Sequence, residues 1–131
     1  MEKIIRIEER NFKTTPDDWS SYDGFEITTD EQVIKIGISD GQSCCESFGC
    51  IISEDNISEF IGADLISVSL TDNSLMTTKL STDYLDEGGV MFVNLETSKG
   101  LLQFAAYNFH NGYYGHTAVL VSKQLSESKN V

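Results

Sequence analysis

Three cysteines and two histidines are the side chains of this sequence best suited to bind a metal or to act as a nucleophile. Adjacent cysteines on a regular strand point to opposite faces, so Cys44 and Cys45 can reach one ion only where a bulge or a turn intervenes. Two or three thiolates with one histidine would make a zinc site, and Zn²⁺ is therefore the candidate cofactor. The candidate ligands, not all at once, are Cys44, Cys45, Cys50, His110 and His116.

Two other interpretations of these residues stay open. Their spacings match no standard C-x-x-C or H-x-x-x-H zinc pattern, and cysteines of a cytosolic chain are commonly buried, inert thiols. A thiolate beside an imidazole would be a nucleophile, but the sequence has no G-x-S-x-G elbow and no glycine loop for phosphate. We therefore expect a protein that is not an enzyme, with a zinc-stabilised accessory domain or a metal-dependent enzyme as the alternative.

The net charge of the chain disfavours one class of ligands. The 131 residues carry 21 Asp and Glu against 9 Lys and Arg, which gives a net charge of −12. Thirteen of the acidic residues lie between Thr14 and Thr78, where Lys35 is the single base. Such a field repels nucleic acid and anionic lipid, so we expect neither as a direct ligand.

The acidic half of the sequence has two interpretations. It is either a solvated face that keeps a small protein soluble, or a surface shaped for a basic partner such as the nucleic-acid groove of another protein. Trp19 lies between acids and serines, where a partly exposed indole can anchor a partner. The candidate partner-binding residues are Asp17, Asp18, Trp19, Asp23, Glu26, Asp30 and Glu31.

Length and hydropathy predict one domain in the cytoplasm. A chain of 131 residues is the size of a single domain, which we place at residues 1–124 with a polar tail over 125–131. No apolar run approaches a membrane span, and charges interleaved with isoleucines in the first ten residues do not suit a signal peptide. The oligomeric state is left open by these patterns.

Period-two alternation predicts most of the secondary structure. The sequence favours an α+β fold, mainly antiparallel β, as a meander folded into a sandwich or an open barrel with one or two short helices. Strands are predicted over 1–12, 24–28, 32–38, 44–53, 64–71, 90–97, 100–109 and 113–122.

Two local patterns refine that prediction. Ile57, Phe60 and Ile61 recur at helical spacing after a cap at Asp55 or Asn56, and Gly62 is a plausible stop. Asn111-Gly112 is typical of a tight hairpin turn. Between 64 and 71, alternation places Leu65, Ser67, Ser69 and Thr71 on one face of a strand and Ile66, Val68 and Leu70 on the other.

Two short islands carry a family resemblance. The islands are Gln42-Ser43-Cys44-Cys45-Glu46-Ser47 and Asn111-Gly112-Tyr113-Tyr114. Between them lies Phe60-Ile61-Gly62, and before the second lies Thr97-Ser98-Lys99-Gly100. In this order they resemble a family of small phage and prophage proteins. The chain also looks like anti-CRISPR proteins directed at Cas9. This resemblance implies a location in a bacterial host cell and a basic nucleic-acid-binding protein as the partner, with Cas9 as the first candidate. It implies inhibition by occupying cationic channels that DNA needs.

Overall fold

Nine β-strands form the framework of the described chain. The computed structural model describes residues 2–14, 21–39, 47–54, 56–71, 89–109 and 117–131. The strands are β1 (Ile4–Phe12), β2 (Tyr22–Thr29), β3 (Val33–Ser39), β4 (Ser47–Ile52), β5 (Leu65–Thr71), β6 (Gly89–Thr97), β7 (Gly100–Phe109), β8 (Thr117–Val121) and β9 (Glu127–Asn130). They confirm the prediction of a mainly antiparallel β-protein.

The strands pair in two antiparallel sheets, in the orders β1-β2-β3-β8-β9 and β4-β7-β6-β5. The predicted meander is therefore wrong in its connections. The chain leaves the first sheet after β3, builds the second sheet and returns as β8, which pairs Ala118 with Ile38 from 80 positions away. Alternation reports the faces of one strand, and it carries no signal for a partner so far along the chain.

The predicted helix at 57–61 is a single 3₁₀ turn, Ile57–Phe60, and it is the one helical element among the described residues. Asn56 precedes the turn without a side-chain capping bond, and Gly62 follows it with φ of +86°. That left-handed conformation favours glycine and ends the turn. The α component of the predicted fold class is thus confined here to one short turn.

Apolar side chains from both sheets meet in one core. Ile27, Ile34 and Ile36 of the first sheet are fully buried, and so are Leu95 and Phe104 of the second. Burying such a side chain contributes about 1.5–3 kcal/mol. The two sheets therefore pack face to face as a sandwich.

The faces predicted for β5 are wrong at its start. Leu65 and Val68 are both buried, whereas alternation assigned them to opposite faces. The register against β6 shifts between Leu65 and Ser67, which is a β-bulge. The extra residue, Ile66, is left 51% exposed.

The two ends of the sandwich differ in their connections. At one end, which we call the turn end, the chain connects strands through 30–32, 53–64, 98–99 and 122–126. At the other, the long-connection end, it does so through 13–21, 40–46, 72–88 and 110–116. Register shows that strand ends bordering the long connections lie side by side: Phe12 pairs with Tyr22, Tyr22 with Ser39, and Ser47 with Phe109.

The last residues of the chain belong to the sandwich. The sequence predicts a polar tail over 125–131, but Glu127–Asn130 pairs with β8 as β9. Val131 is buried, and its carbonyl oxygen accepts a 3.1 Å hydrogen bond from Asn108 Nδ2. Among the described residues no helix is long and apolar enough to cross a bilayer.

Candidate functional site

Of the five predicted metal ligands, the structure describes Cys50. Cys44, Cys45, His110 and His116 lie outside the described residues. The part of the chain that the structure describes contains no group of three or more His, Cys, Asp or Glu residues that could hold a metal ion. The predicted zinc site therefore stays a prediction.

Cys50 lies on β4 at the wall of a cavity of about 390 Å³. Its Sγ is 3.9 Å from the carbonyl oxygen of Ile36, a weak contact that joins the two sheets. Burial, and then the negative charge of Glu9, raise the pKa of the Cys50 thiol well above its usual range. The thiol is therefore protonated at neutral pH, and it is a poor nucleophile there.

The cavity brings together residues that the sequence assigns to different roles. Cys50, a metal candidate, and Asp23, a partner-binding candidate, both line it together with Glu9. Asp23 Oδ1 accepts a 2.8 Å hydrogen bond from Asn11 Nδ2, which fixes its carboxylate. The cavity lies near the long-connection end, since Asp23 follows Tyr22 directly.

The four described partner-binding candidates do not share one surface. Asp23 is near the long-connection end, Glu26 is in the middle of β2, and Asp30 and Glu31 lie in the turn after β2. A strand rises about 3.3 Å per residue, so Asp23 and Asp30 are about 23 Å apart. Asp17, Asp18 and Trp19 lie outside the described residues.

The Glu26 carboxylate forms ion pairs with two neighbouring cations. Its carboxylate lies 3.5 Å from Arg10 and 4.0 Å from Lys35, and its side chain is only 16% exposed. Arg10 also lies 3.5 Å from Glu8, whose other oxygen lies 3.5 Å from Arg6. The outer face of the first sheet thus carries alternating charges, which we call the charge ladder, and Glu26 forms its ion pairs within this ladder.

The excess of negative charge lies mostly outside the described residues. Eight of the nine bases but only twelve of the 21 acidic residues are described. The three sequence segments 15–20, 40–46 and 72–88 contain eight acidic residues and one base. All three belong to connections whose bordering strand ends lie at the long-connection end.

Sequence reasoning missed two polar features. Glu9 lines the cavity because β1 and β2 align there with the edge of β4, and no pattern in the sequence signals that register. Glu2 is buried at the turn end, where its carboxylate accepts hydrogen bonds from Thr29 Oγ1, Gln32 Nε2 and Gln124 Nε2. A charged residue at the start of a chain gives no indication of burial.

The chain belongs to a family described as a domain of unknown function (DUF7448), whose sequence pattern matches residues 1–120. The matched region covers β1 to β7 and nearly all of β8, and β9 lies beyond it. No curated protein and no solved structure matches the chain.

Proposed function

We propose that this protein is an inhibitor that binds a basic, nucleic-acid-binding surface of another protein through its long-connection end. The resemblance to phage and prophage proteins makes Cas9 the first candidate partner, with DNA loading or cleavage as the step blocked. The proposed activity requires contact area and charge, and no bond is made or broken.

One observation carries the proposal. The acidic excess of the sequence is concentrated in three connections, and the strand ends that border them lie at one end of the sandwich. On the outer face of the first sheet, by contrast, Arg6, Arg10 and Lys35 offset Glu8 and Glu26. Charge available for a cationic partner is therefore expected at one end.

The physical mechanism is electrostatic steering followed by occlusion. A concentrated negative potential raises the association rate with a positively charged channel by about 10–1,000-fold. A stable complex then needs about 800 Å² of buried surface on each partner. A nuclease whose channel must hold nucleic acid would be inhibited by that occupancy alone.

The direct test mixes the purified protein with a Cas9–guide RNA complex and measures DNA binding and DNA cleavage. We expect both to fall with increasing inhibitor, and we expect inhibition to weaken with added salt, which screens charges beyond about 8 Å at physiological ionic strength. Unchanged DNA binding and cleavage at large molar excess would contradict Cas9 as the partner.

Matched double variants then locate the docking surface. Asp17→Asn with Asp18→Asn removes two charges from a long connection, and Asp30→Asn with Glu31→Gln removes two from the turn end. We expect the first pair to slow association by about tenfold and the second to leave it nearly unchanged. Equal effects of the two pairs would show that net charge alone matters, and loss of fold in the first pair would show that those acids are structural.

A zinc-stabilised accessory domain is the second candidate function. Ser47, which is two residues after Cys45, pairs with Phe109, which directly precedes His110. The described backbone therefore brings these two segments of the sequence close together. Elemental analysis of protein purified without a metal-affinity tag tests this candidate. A stoichiometric metal whose removal by chelator lowers the melting temperature supports it, and a metal-free protein with an unchanged melting temperature removes it.

A further inference from the structure

The outer edge of β5 differs from the two edges of the first sheet. β5 is the last strand of the second sheet, and from Ile66 to Leu70 its described backbone partners all belong to β6. The segment has no charged residue, no proline and no glycine. Edge strands of soluble proteins are normally protected by charges, prolines or β-bulges, because an unpaired edge is a template for another strand, and of these β5 has only the bulge at its start.

The edges of the first sheet show that protection. β1 carries Arg6, Glu8, Glu9 and Arg10, and β9 carries Glu127 and Lys129. These charges disfavour the approach of a second strand. The edge of β5 lacks them.

The edge of β5 also exposes large apolar side chains. Ile66 is 51% exposed and Leu70 is 41% exposed. At β4, the opposite edge of the same sheet, Ile51 and Ile52 are partly buried. The combination of an edge backbone that no described strand pairs and exposed apolar side chains points to a strand as the occupant.

The sequence of this edge is complementary to itself. Ile66-Ser67-Val68-Ser69-Leu70 is nearly the same in both directions. Antiparallel pairing about Val68 therefore places Ile66 opposite Leu70 of a second copy, twice. It also places Ser67 opposite Ser69, and apolar pairs and hydroxyl pairs are both favourable across strands.

We propose that two copies of this chain associate through β5 in antiparallel register about Val68, which joins two four-stranded sheets into one. A two-fold axis makes such an interface isologous, so each favourable pair occurs twice. The occupant is a second copy, and this edge runs along the side of the sandwich, reaching the long-connection end that carries the proposed inhibition only at Thr71.

The net charge of −12 does not prevent this association. Lys3 Nζ lies 3.0 Å from Asp64 Oδ1 beside the start of β5, which neutralises the nearest described carboxylate before the strand. Glu96, opposite Ser67 on β6, would be separated from its copy by three strand spacings, or about 14 Å. That separation exceeds the screening length of about 8 Å at physiological salt.

Sedimentation equilibrium of the full chain under reducing conditions measures the association, since the reductant excludes disulfide-linked dimers. We expect a reversible dimer that persists in reductant. Ile66→Lys alone and Leu70→Glu alone should each weaken it by about tenfold, because each places a charge against an apolar side chain twice. A wild-type chain that stays monomeric across the concentration series would overturn the proposal.

Mixing the two single variants tests the register itself. In the mixed dimer, Lys at position 66 of one copy faces Glu at position 70 of the other, while the second pair stays Ile66 with Leu70. We expect the mixture to regain wild-type affinity or better, although each variant alone is mostly monomeric. Failure of the mixture to dimerise would overturn the register.

Leu101→Glu is the matched control, because Leu101 is 40% exposed on the same sheet but lies on β7, which β6 separates from this edge. We expect it to leave the dimer unchanged, and circular dichroism with thermal melting establishes that all variants are folded. A dimer that Leu101→Glu weakens as much as Leu70→Glu does would use another surface and would contradict the proposal.

Discussion

The two ends of the sandwich use charge in different ways. At the turn end, ionic groups are engaged within the fold: Lys3 contacts Asp64 at 3.0 Å, and buried Glu2 accepts hydrogen bonds from Gln32 and Gln124. At the long-connection end, Glu9 is exposed on the wall of a cavity, and the neighbouring sequence segments hold most of the acidic excess. The first set of charges is engaged within the fold, and our proposal assigns the second to a partner.

This difference shows why a count of acidic residues does not define a docking surface. Glu26 is as acidic as Asp23, yet Glu26 contacts two cations, whereas Asp23 accepts a hydrogen bond from the neutral amide of Asn11. A carboxylate whose charge is offset by neighbouring cations contributes less to long-range attraction. Single substitutions separate the two roles.

Glu2→Ala is expected to lower the free energy of unfolding by about 3 kcal/mol, because the buried Thr29 hydroxyl and two partly buried hydrogen bonds from glutamine amides lose their charged acceptor. Gln32 Nε2 and Gln124 Nε2 donate to this carboxylate at 2.7 and 3.0 Å. Urea denaturation monitored by circular dichroism measures the change. Glu127→Ala, at an exposed position of β9, is the control and should change stability by less than about 0.5 kcal/mol. Similar losses in the two variants would contradict the assignment of a structural role to Glu2.

Alkaline pH tests the cavity at the long-connection end. The folded state raises the pKa of Cys50, so above about pH 9 the unfolded chain loses this proton while the folded chain keeps it. Stability is therefore fully retained below the ordinary thiol pKa and falls above it, by up to about 1.4 kcal/mol per pH unit. Urea denaturation at several pH values measures this slope.

Cys50→Ala should flatten that alkaline slope, whatever it does to stability at neutral pH. Glu9→Gln removes the second cause of the raised pKa and should reduce the slope only in part. If the wild type and Cys50→Ala had the same slope between about pH 8.5 and 10, the thiol would not be held protonated by its surroundings.

Much of the framework is predictable from sequence because alternation is a local property. The predicted strand at 100–109 coincides with β7, and the one at 90–97 differs from β6 by one residue. β9 was missed because a short polar edge strand such as Glu127–Asn130 has no apolar period. The faces of β5 were misassigned because a bulge shifts the period by one residue.

The candidate site is harder to predict, because it depends on register between distant strands. Sequence reasoning named Cys50 and Asp23 for separate roles, and only the packing of β4 against β2 places them at one cavity. Glu9 was missed since it resembles any charged residue of an amphipathic strand. Residue type suggests candidates, whereas three-dimensional proximity decides which of them act together.

Glu26→Gln is expected to change stability less than Glu2→Ala does, and it tests whether Glu26 belongs to the fold or to the docking surface. It leaves Arg10 and Lys35 without this carboxylate, but Arg10 is 55% exposed and keeps Glu8 at 3.5 Å. Exposed ion pairs contribute about 0.2–1 kcal/mol, and Glu26 is only 16% exposed, so we expect a loss near the upper end, about 1 kcal/mol, that shrinks with added salt. Urea denaturation at low and high salt measures it. Since the charge of Glu26 is offset within the charge ladder, the substitution should leave the association rate with the partner unchanged. A clear fall in the association rate would place Glu26 on the docking surface.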